Sequence, residues 1–240
     1  MAGHSKWSQI KRKKAILDSK RGQIFTKIIK EITIASRIGG GDEDLNPRLR
    51  QAITNAKGAN MPLNNIKKAI LKGTGELPGT SYEEMIFEGY GPGGVAIMIE
   101  VATDNRKRTV AELRHLISKN GGNLGESGCV SWMFKRRGNI FIDKKNINEE
   151  KLIELFIDFN VLDFVEENEF YVVETKPEEM NKLLKILQEH NYHIISSEIL
   201  QISENTIKVN SDLNNKILIL LEKLDCHEDV QKIHSNFEIN

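Results

Sequence analysis

The first third of the chain repeats its hydrophobic residues every three or four positions, the period of an amphipathic helix. The first such stripe consists of Ile24, Phe25, Ile28, Ile29, Ile32 and Ala35. Gly39–Gly41 ends this predicted helix, and Asn46 followed by Pro47 begins a second, because Asn caps helices and Pro suits their first position. A third helix is predicted from about Pro62 to Lys72, ended by Gly73. Three short helices with brief connections predict a small bundle.

The pattern becomes extended after Gly79. Tyr82–Tyr90 is predicted as a strand, and the continuous apolar run Val95–Val101 as a buried one. The string "GYGPGG" between them satisfies the spacing of a dinucleotide-binding loop, but such a loop must open a helix and here a strand follows. It therefore predicts a hairpin turn. A helix follows over Val110–Ile117, and Cys129–Phe134 is predicted as a further strand.

From Asn139 onward the predicted elements alternate as β-α-β-β-α-β, the ferredoxin-like order. They are Asn139–Ile142, Glu149–Asn160, Val161–Glu166, Phe170–Glu174, Pro177–His190 and Tyr192–Leu200. The helix and strand after them lack a sheet of their own, whereas the central region has strands and only one helix. We therefore predict an α+β multidomain protein with an N-terminal three-helix bundle, a central α/β domain completed by the C-terminal tail, and an inserted ferredoxin-like βαββαβ domain.

The predicted boundaries follow from these changes in pattern. A basic N-terminal arm takes residues 1–20 and the bundle 21–79. A discontinuous α/β domain takes 80–137 and 204–240, and the inserted acidic domain takes 138–203. A fragment of about 60 residues buries too little surface to be stable alone, which favours joining the two parts of the discontinuous domain.

Charge is sorted along the chain although the totals cancel, with 34 Lys and Arg against 34 Asp and Glu. Residues 1–80 hold 16 basic and 6 acidic side chains, whereas residues 146–205 hold 4 basic and 14 acidic ones. Such asymmetry suggests a polyanionic partner for the basic half. The alternative is that lysines and acids only keep two different modules in solution.

Several classes of protein find no support in the sequence. No apolar run approaches the roughly 20 residues of a membrane span, and the start lacks the apolar core of a secretory signal. Cys129 and Cys226 are too few for a disulfide framework and are interpreted as small buried hydrophobes, which fits a cytoplasmic protein. His227-Glu228 begins a zinc-protease motif, but Gln231 stands where its second His should be. We expect a protein without catalytic residues, metal or cofactor.

The leading candidate site is the cationic N-terminal region. Nine positive side chains precede residue 31, opposed only by Asp18: Lys6, Lys11, Arg12, Lys13, Lys14, Lys20, Arg21, Lys27 and Lys30. Arg48 and Arg50 add to this surface if the helices pack as a bundle. Trp7 has two interpretations, stacking on an exposed base or anchoring the arm on the bundle. A small helix-turn-helix is conceivable, in which Asn55, Asn60 and Asn64 either read bases or cap helices.

The second candidate is the string "TDNRKRT" at residues 103–109. Arg106, Lys107 and Arg108 lie between a predicted strand end and a helix start that Asp104 or Asn105 would cap. An exposed helix N-terminus attracts phosphate, so the three cations would bind a nucleic-acid backbone. The alternative is a solvated loop.

Eight ordered motifs resemble those of the YebC family. They are "MAGHSKW" at the start, "KRGQIFTKIIKEI" at 20–32, "GGGD" at 39–42, "NPRLRQAI" at 46–53, "AKGANMP" at 56–62, "YGPGGVA" at 90–96, "TDNRKRT" and "GGNLG" at 121–125. The resemblance is dense from Met1 to about Gly138 and returns in "VQKIHSNFEI" near the end. Asn64, where many relatives carry an acid, and Lys107, where Asn is common, depart from the pattern and make this chain slightly more basic.

This resemblance implies a three-domain, cytoplasmic, nucleic-acid-linked regulator. Its members include probable transcriptional regulators, so we expect DNA binding through the basic N-terminal region. The alternative is a ribosome-associated translation factor or translational activator that binds ribosomal RNA. Two other functions are considered as alternatives: a hydrolase with its cleft between modules, and an adaptor that binds a basic protein on the acidic module. No membrane partner is expected.

Overall fold

The computed structural model describes residues 21–145, 147–157 and 159–239. Within these ranges the chain has seven α-helices and three sheets, which confirms the predicted α+β class. It divides into two compact units, of which one joins the chain up to Trp132 with the segment from Asn205 onward, and the other is Met133–Glu204. None of the helices in these ranges has the length and apolar character that crossing a bilayer requires.

The first unit begins with a three-helix bundle: α1 (Arg21–Gly39), α2 (Pro47–Gly58) and α3 (Leu63–Thr74). The predicted start of α2 is confirmed, because Pro47 is its first residue and the Asn46 side chain accepts the Leu49 N–H at 3.1 Å. The predicted stripes meet in one core. Its buried members are Ile32, Ala35, Leu49, Ala52, Ile53, Ala56, Met61, Ile66 and Ala69.

Gly73 has a different role from the one predicted. It lies inside α3, which continues to Thr74 and ends at Gly75, a residue in the left-handed conformation with φ 84°. A Cβ at Gly73 would meet the carbonyl oxygen of Thr33 and lie 2.7 Å from Cβ of Ser36. The missing side chain therefore lets α3 pack backbone to backbone against α1.

The central domain is built on a hairpin of β1 (Glu83–Tyr90) and β2 (Ala96–Thr103). The hairpin predicted at "GYGPGG" is confirmed: Pro92 opens the turn and Gly93 adopts φ 73°, which is accessible to glycine at no steric cost. β2 is almost wholly buried, and it pairs with β1 on one edge and with β9 (Val230–Ser235) on the other.

The C-terminal tail completes this domain, as predicted. The sheet order is β3 (Asn123–Leu124), β1, β2, β9. Side chains of α4 (Arg106–Lys119) and α7 (Ser211–Asp225) share one hydrophobic core with this sheet. The last pair, β8 (Ile207–Val209) and β10 (Phe237–Ile239), forms a short parallel ribbon.

The strand predicted at Cys129–Phe134 is wrong for residues 129–133, and only Phe134 lies in a strand. Residues 125–130 form a loop, and a 3-10 turn follows at Ser131–Met133. The reason is Glu88, whose buried carboxylate accepts the N–H groups of Gly128, Val130 and Ser131 at 2.8, 2.8 and 2.7 Å. Burial raises the pKa of Glu88, but these three backbone donors outweigh it and the pKa falls below its usual value.

The second unit has the ferredoxin-like order that was predicted. Its elements are β4 (Phe134–Asp143), α5 (Glu149–Ile157), β5 (Val161–Glu166), β6 (Phe170–Thr175), α6 (Pro177–Glu189) and β7 (Ile194–Ser203). The antiparallel sheet runs β5-β6-β4-β7. Because β4 begins at Phe134, the junction predicted after residue 137 falls inside a strand. The domain boundaries as a set stay a prediction.

Candidate nucleic-acid interface

Most of the predicted cationic arm lies outside the described residues. This applies to Lys6, Trp7, Lys11, Arg12, Lys13, Lys14 and Lys20, and to the side chain of Arg21. For these positions the nucleic-acid contact stays a prediction based on sequence.

Lys27 and Lys30, the next two predicted cations, point towards the C-terminal segment of the protein. Nζ of Lys27 lies 2.9 Å from a carboxylate oxygen of Asp225 and donates to the Asp225 carbonyl at 2.7 Å. Lys30 is only 5% exposed, and its Nζ lies 2.5 Å from Asp229 Oδ1. The phosphate contact predicted for Lys30 therefore needs correction: its charge is already neutralised inside the fold.

Asp229 collects cations and hydroxyls from three parts of the chain. Besides Lys30 from α1, its other carboxylate oxygen accepts from Thr109 at 2.7 Å, Arg108 at 3.0 Å and Thr103 at 3.2 Å. Burial raises the pKa of Asp229, but the hydrogen bonds from Lys30, Thr109 and Arg108 outweigh it and lower the pKa to about 2. The carboxylate is therefore ionised at neutral pH and joins the bundle to the central domain.

The string "TDNRKRT" contains one cation that pairs with carboxylates of the protein, Arg108, and two exposed cations, Arg106 and Lys107. Asn105 caps α4 by accepting the Arg108 N–H at 3.1 Å. The Arg108 guanidinium turns back to Asp229 and to Asp104, which raises the pKa of this already basic group. Arg106 and Lys107 are exposed and have no ion pair within the described part of the chain. For Arg106 and Lys107 the phosphate contact stays a prediction.

Arg48 and Arg50 are also held by the protein. Arg48 Nε lies 2.7 Å from a carboxylate oxygen of Glu31, and a terminal nitrogen lies 2.5 Å from Glu84. Glu31 first, and then Glu84, raise the pKa of Arg48 well above its ordinary value. Arg50 donates to the backbone carbonyls of Glu43 and Asp44 at 2.9 and 2.5 Å. These contacts do not support the phosphate role predicted for either arginine.

The sequence interpretation missed a group of lysines in the bundle. Lys57 in α2 and Lys67, Lys68 and Lys72 in α3 are exposed, and none of them has a carboxylate partner in the ranges that the structure describes. One signal could have found them: residues 45–75 contain six Lys and Arg and no Asp or Glu. The sequence interpretation followed the denser charges of the first 30 residues instead.

One cluster has the composition of a metal site. Ligand atoms of Glu112, His227 and Asp229 lie within 4.8 Å of one another. His227 Nε2 is already hydrogen-bonded to Glu112 at 3.0 Å. One Asp229 oxygen accepts from Lys30 and the other from Arg108. Two cations beside the shared carboxylate oppose a third, so we assign no metal to this cluster.

Two family models cover most of the chain. One, described as the TACO1/YebC protein N-terminal domain, matches residues 5–76. The other, described as the TACO1/YebC second and third domain, matches residues 82–237. The chain belongs to the TACO1/YebC family. The resemblance inferred from the sequence motifs is thereby confirmed.

Relatives of similar length share about half of their residues with this TACO1/YebC member. A protein named probable transcriptional regulatory protein from Syntrophus aciditrophicus is 51% identical over 240 residues, which are 100% of this chain and 96% of the relative. One of the same description from Desulfotalea psychrophila is 49% identical over 241 residues, with the same coverage. The crystal structure of a conserved hypothetical protein from Aquifex aeolicus matches with a TM-score of 0.86 and 44% identity, covering 95% of this chain and 94% of that one.

Proposed function

We propose that this protein is a regulatory DNA-binding protein that contacts the phosphate backbone through its basic N-terminal region. The observation that carries the proposal is the charge of that region. Residues 1–26 contain seven Lys and Arg and a single acid, Asp18. The relatives named probable transcriptional regulatory proteins support the regulatory role.

The physical mechanism is counterion release. Duplex DNA holds a condensed layer of cations, and each basic side chain that replaces one of them gains free energy from the entropy of the released ion. This term requires no base-specific contact and no catalytic residue, so the proposed activity is non-enzymatic binding. We place this binding in the cytoplasm.

Arg106 and Lys107 extend the proposed surface. Gln23 of α1 donates to the Cys226 carbonyl, and Lys27 of α1 donates to Asp225. Arg108, near the start of α4, donates to Asp229. The short segment 225–229 therefore lies beside both the start of α1 and the start of α4. Arg106 and Lys107 are therefore near the residue where α1 begins, and we expect them to contact the same polyanion as the basic residues that precede α1 in the sequence.

The test is a salt titration of DNA binding by fluorescence anisotropy. For the full-length protein on a duplex longer than its binding site, log affinity should fall linearly with log salt, by about 0.9 for each phosphate contact. Replacing Lys11, Arg12, Lys13 and Lys14 with Glu should abolish binding. A matched control replaces Lys145, Lys151, Lys176 and Lys185 of the second unit with Glu, which lowers the net charge equally and should leave most of the affinity.

Two results would contradict the proposal. Equal losses of affinity in the two quadruple variants would show that only the total charge matters and that the N-terminal region has no special role. Tighter binding to folded ribosomal RNA than to the duplex, abolished in the same N-terminal variant, would replace DNA with RNA and favour the translational alternative.

A further inference from the structure

The segment from α2 to the end of α3 is the longest part of the bundle without an acid. Between Asp44 and Glu76 the sequence contains six basic residues and no carboxylate side chain. Arg48 pairs with Glu31 and Glu84, and Arg50 donates to two backbone carbonyls, as described above. The remaining four are lysines, and three of them lie on a single helix, α3.

The three lysines of α3 share its outer face. Ile66 and Ala69 are buried against the core, which fixes the opposite side of the helix outward. Lys67, Lys68 and Lys72 are all exposed; Lys68 and Lys72 have the four-residue spacing that brings helix side chains together, and Lys67 lies next to them. None of their ammonium groups is paired with a carboxylate among residues 21–145, 147–157 and 159–239. Three like charges therefore lie near one another without a carboxylate partner in the part of the chain that the structure describes.

The connection before α3 fixes where this helix starts. Asn60 adopts the left-handed conformation with φ 56°, its N–H bonds to the Lys57 carbonyl at 3.0 Å, and the Met61 N–H bonds to the Ala56 carbonyl at 2.9 Å. This is the Schellman ending of a helix, and Pro62 after it prevents α2 from continuing. Two helices joined by four residues match the connection length of helix-turn-helix proteins.

The inner face of α3 is held firmly. Gly73 brings the α3 backbone against Thr33 and Ser36 of α1, and the Thr33 hydroxyl lies 3.4 Å from the Ala69 carbonyl. This close backbone approach leaves little freedom for α3 to rotate about its axis. The lysine face is therefore preorganised, which lowers the cost of binding a rigid partner.

We propose that this lysine face of α3, defined by Lys67, Lys68 and Lys72, is a second DNA-contacting surface that binds phosphates of a duplex. The inference rests on the proposed function and adds a new site to it. A polyanion fits better than a protein partner because lysine is depleted at protein interfaces, whereas each lysine on a phosphate backbone releases a counterion. A rod-shaped duplex also suits a group of charges on one side of a rigid helix.

The test compares two triple variants of the full chain in the same salt titration. Lys67→Gln, Lys68→Gln and Lys72→Gln together should reduce the slope of log affinity against log salt by about 0.9 for each phosphate that is no longer neutralised. The control, Lys151→Gln, Lys176→Gln and Lys185→Gln, removes the same charge from the second unit and should keep the wild-type slope. Replacing the three α3 lysines with Arg should also keep it.

The possible outcomes separate this inference from the proposed function. If the wild type binds with a salt-dependent affinity and the α3 variant keeps both affinity and slope, the lysine face is excluded while the proposed function stands. If the wild type does not bind duplex DNA, both the proposed function and the inference about the lysine face are contradicted. Circular dichroism of the α3 variant gives its helix content, and a photo-reactive side chain at position 68 should cross-link to the duplex, unlike one at position 151.

Discussion

Two helices of the same bundle use lysine in opposite ways. On α1, Lys27 and Lys30 turn towards Asp225 and Asp229 at the other end of the chain. On α3, Lys67 and its neighbours stay in solvent without a carboxylate partner in the described ranges. Both helices look similarly basic in the sequence. The number of cations on a helix therefore does not reveal whether they can bind a ligand, because a carboxylate from a distant part of the chain can neutralise them.

The largest expected effect is on the free energy of unfolding, which should depend on Lys30 far more than on Lys68. Lys30→Met should lower the free energy of unfolding by about 3–5 kcal/mol, since it leaves the buried Asp229 carboxylate without its main partner. Lys68→Met, on the exposed face, should change it by less than about 0.5 kcal/mol. Urea denaturation followed by circular dichroism measures both. Similar losses of stability in the two variants would contradict the distinction.

A second prediction concerns the glycine that holds the two helices together. Gly73→Ala should destabilise by about 1–3 kcal/mol, because the new methyl group meets the Thr33 carbonyl and overpacks the α1–α3 interface. Gly58→Ala is the matched control at the end of α2, where an added Cβ has no atom within 4 Å. It should be neutral or slightly stabilising. Thermal unfolding of both variants checks the prediction, which fails if the control is destabilised as much as Gly73→Ala.

Acid should weaken the internal ion pairs and leave the lysine face unchanged. The pKa of Asp229 is about 2 in the fold, below its ordinary value of 3.8. A lowered pKa stabilises the fold above about pH 4, and this contribution of about 2 kcal/mol is lost as the pH falls towards 2. Unfolding free energies measured over this acid range should fall less steeply for Asp229→Asn than for the wild type. If the unfolding free energies of the two proteins fall equally with pH, Asp229 does not cause the loss of stability in acid.

The smallest effect is expected at a cation paired on the surface. Arg48 bridges Glu31 and Glu84 but is partly exposed, and exposed ion pairs contribute at most about 1 kcal/mol. Arg48→Ala should therefore destabilise by less than that, and about 0.5 M salt should reduce the difference from wild type. Arg114→Ala, at an exposed arginine on α4, serves as the reference in the same denaturation series.

Local signals in the sequence predicted much of the fold. The Asn46-Pro47 start of α2, the turn at Gly93 and the βαββαβ order depend on neighbouring residues, so they could be read directly. Gly73 was misread as a helix end because its reason is the approach of α1, which lies far earlier in the chain. Cys129–Phe134 looked like a strand because nothing local shows that Glu88 captures the N–H groups of that loop.

The candidate site was harder to predict for the same reason. The sequence places Lys30 among nine cations, and only the fold shows that Asp229, 199 residues away, neutralises it. The α3 lysines were overlooked because they are fewer, although the absence of acids around them was visible. Partners that are distant in sequence decide which charges remain outside, and a single sequence does not contain that pairing.

The position of Asp229 near the end of the chain also affects the order in which contacts form during synthesis on the ribosome. Synthesis runs from the N-terminus, so α1 emerges long before the residue that neutralises Lys30, and β2 emerges before its neighbour β9. The helical bundle can form its own core early and Arg48 can pair with Glu84 of β1, but the contacts of Lys27 and Lys30 with Asp225 and Asp229 must wait until translation is almost complete. A nascent chain halted before residue 229 would therefore leave Lys30 without its Asp229 partner.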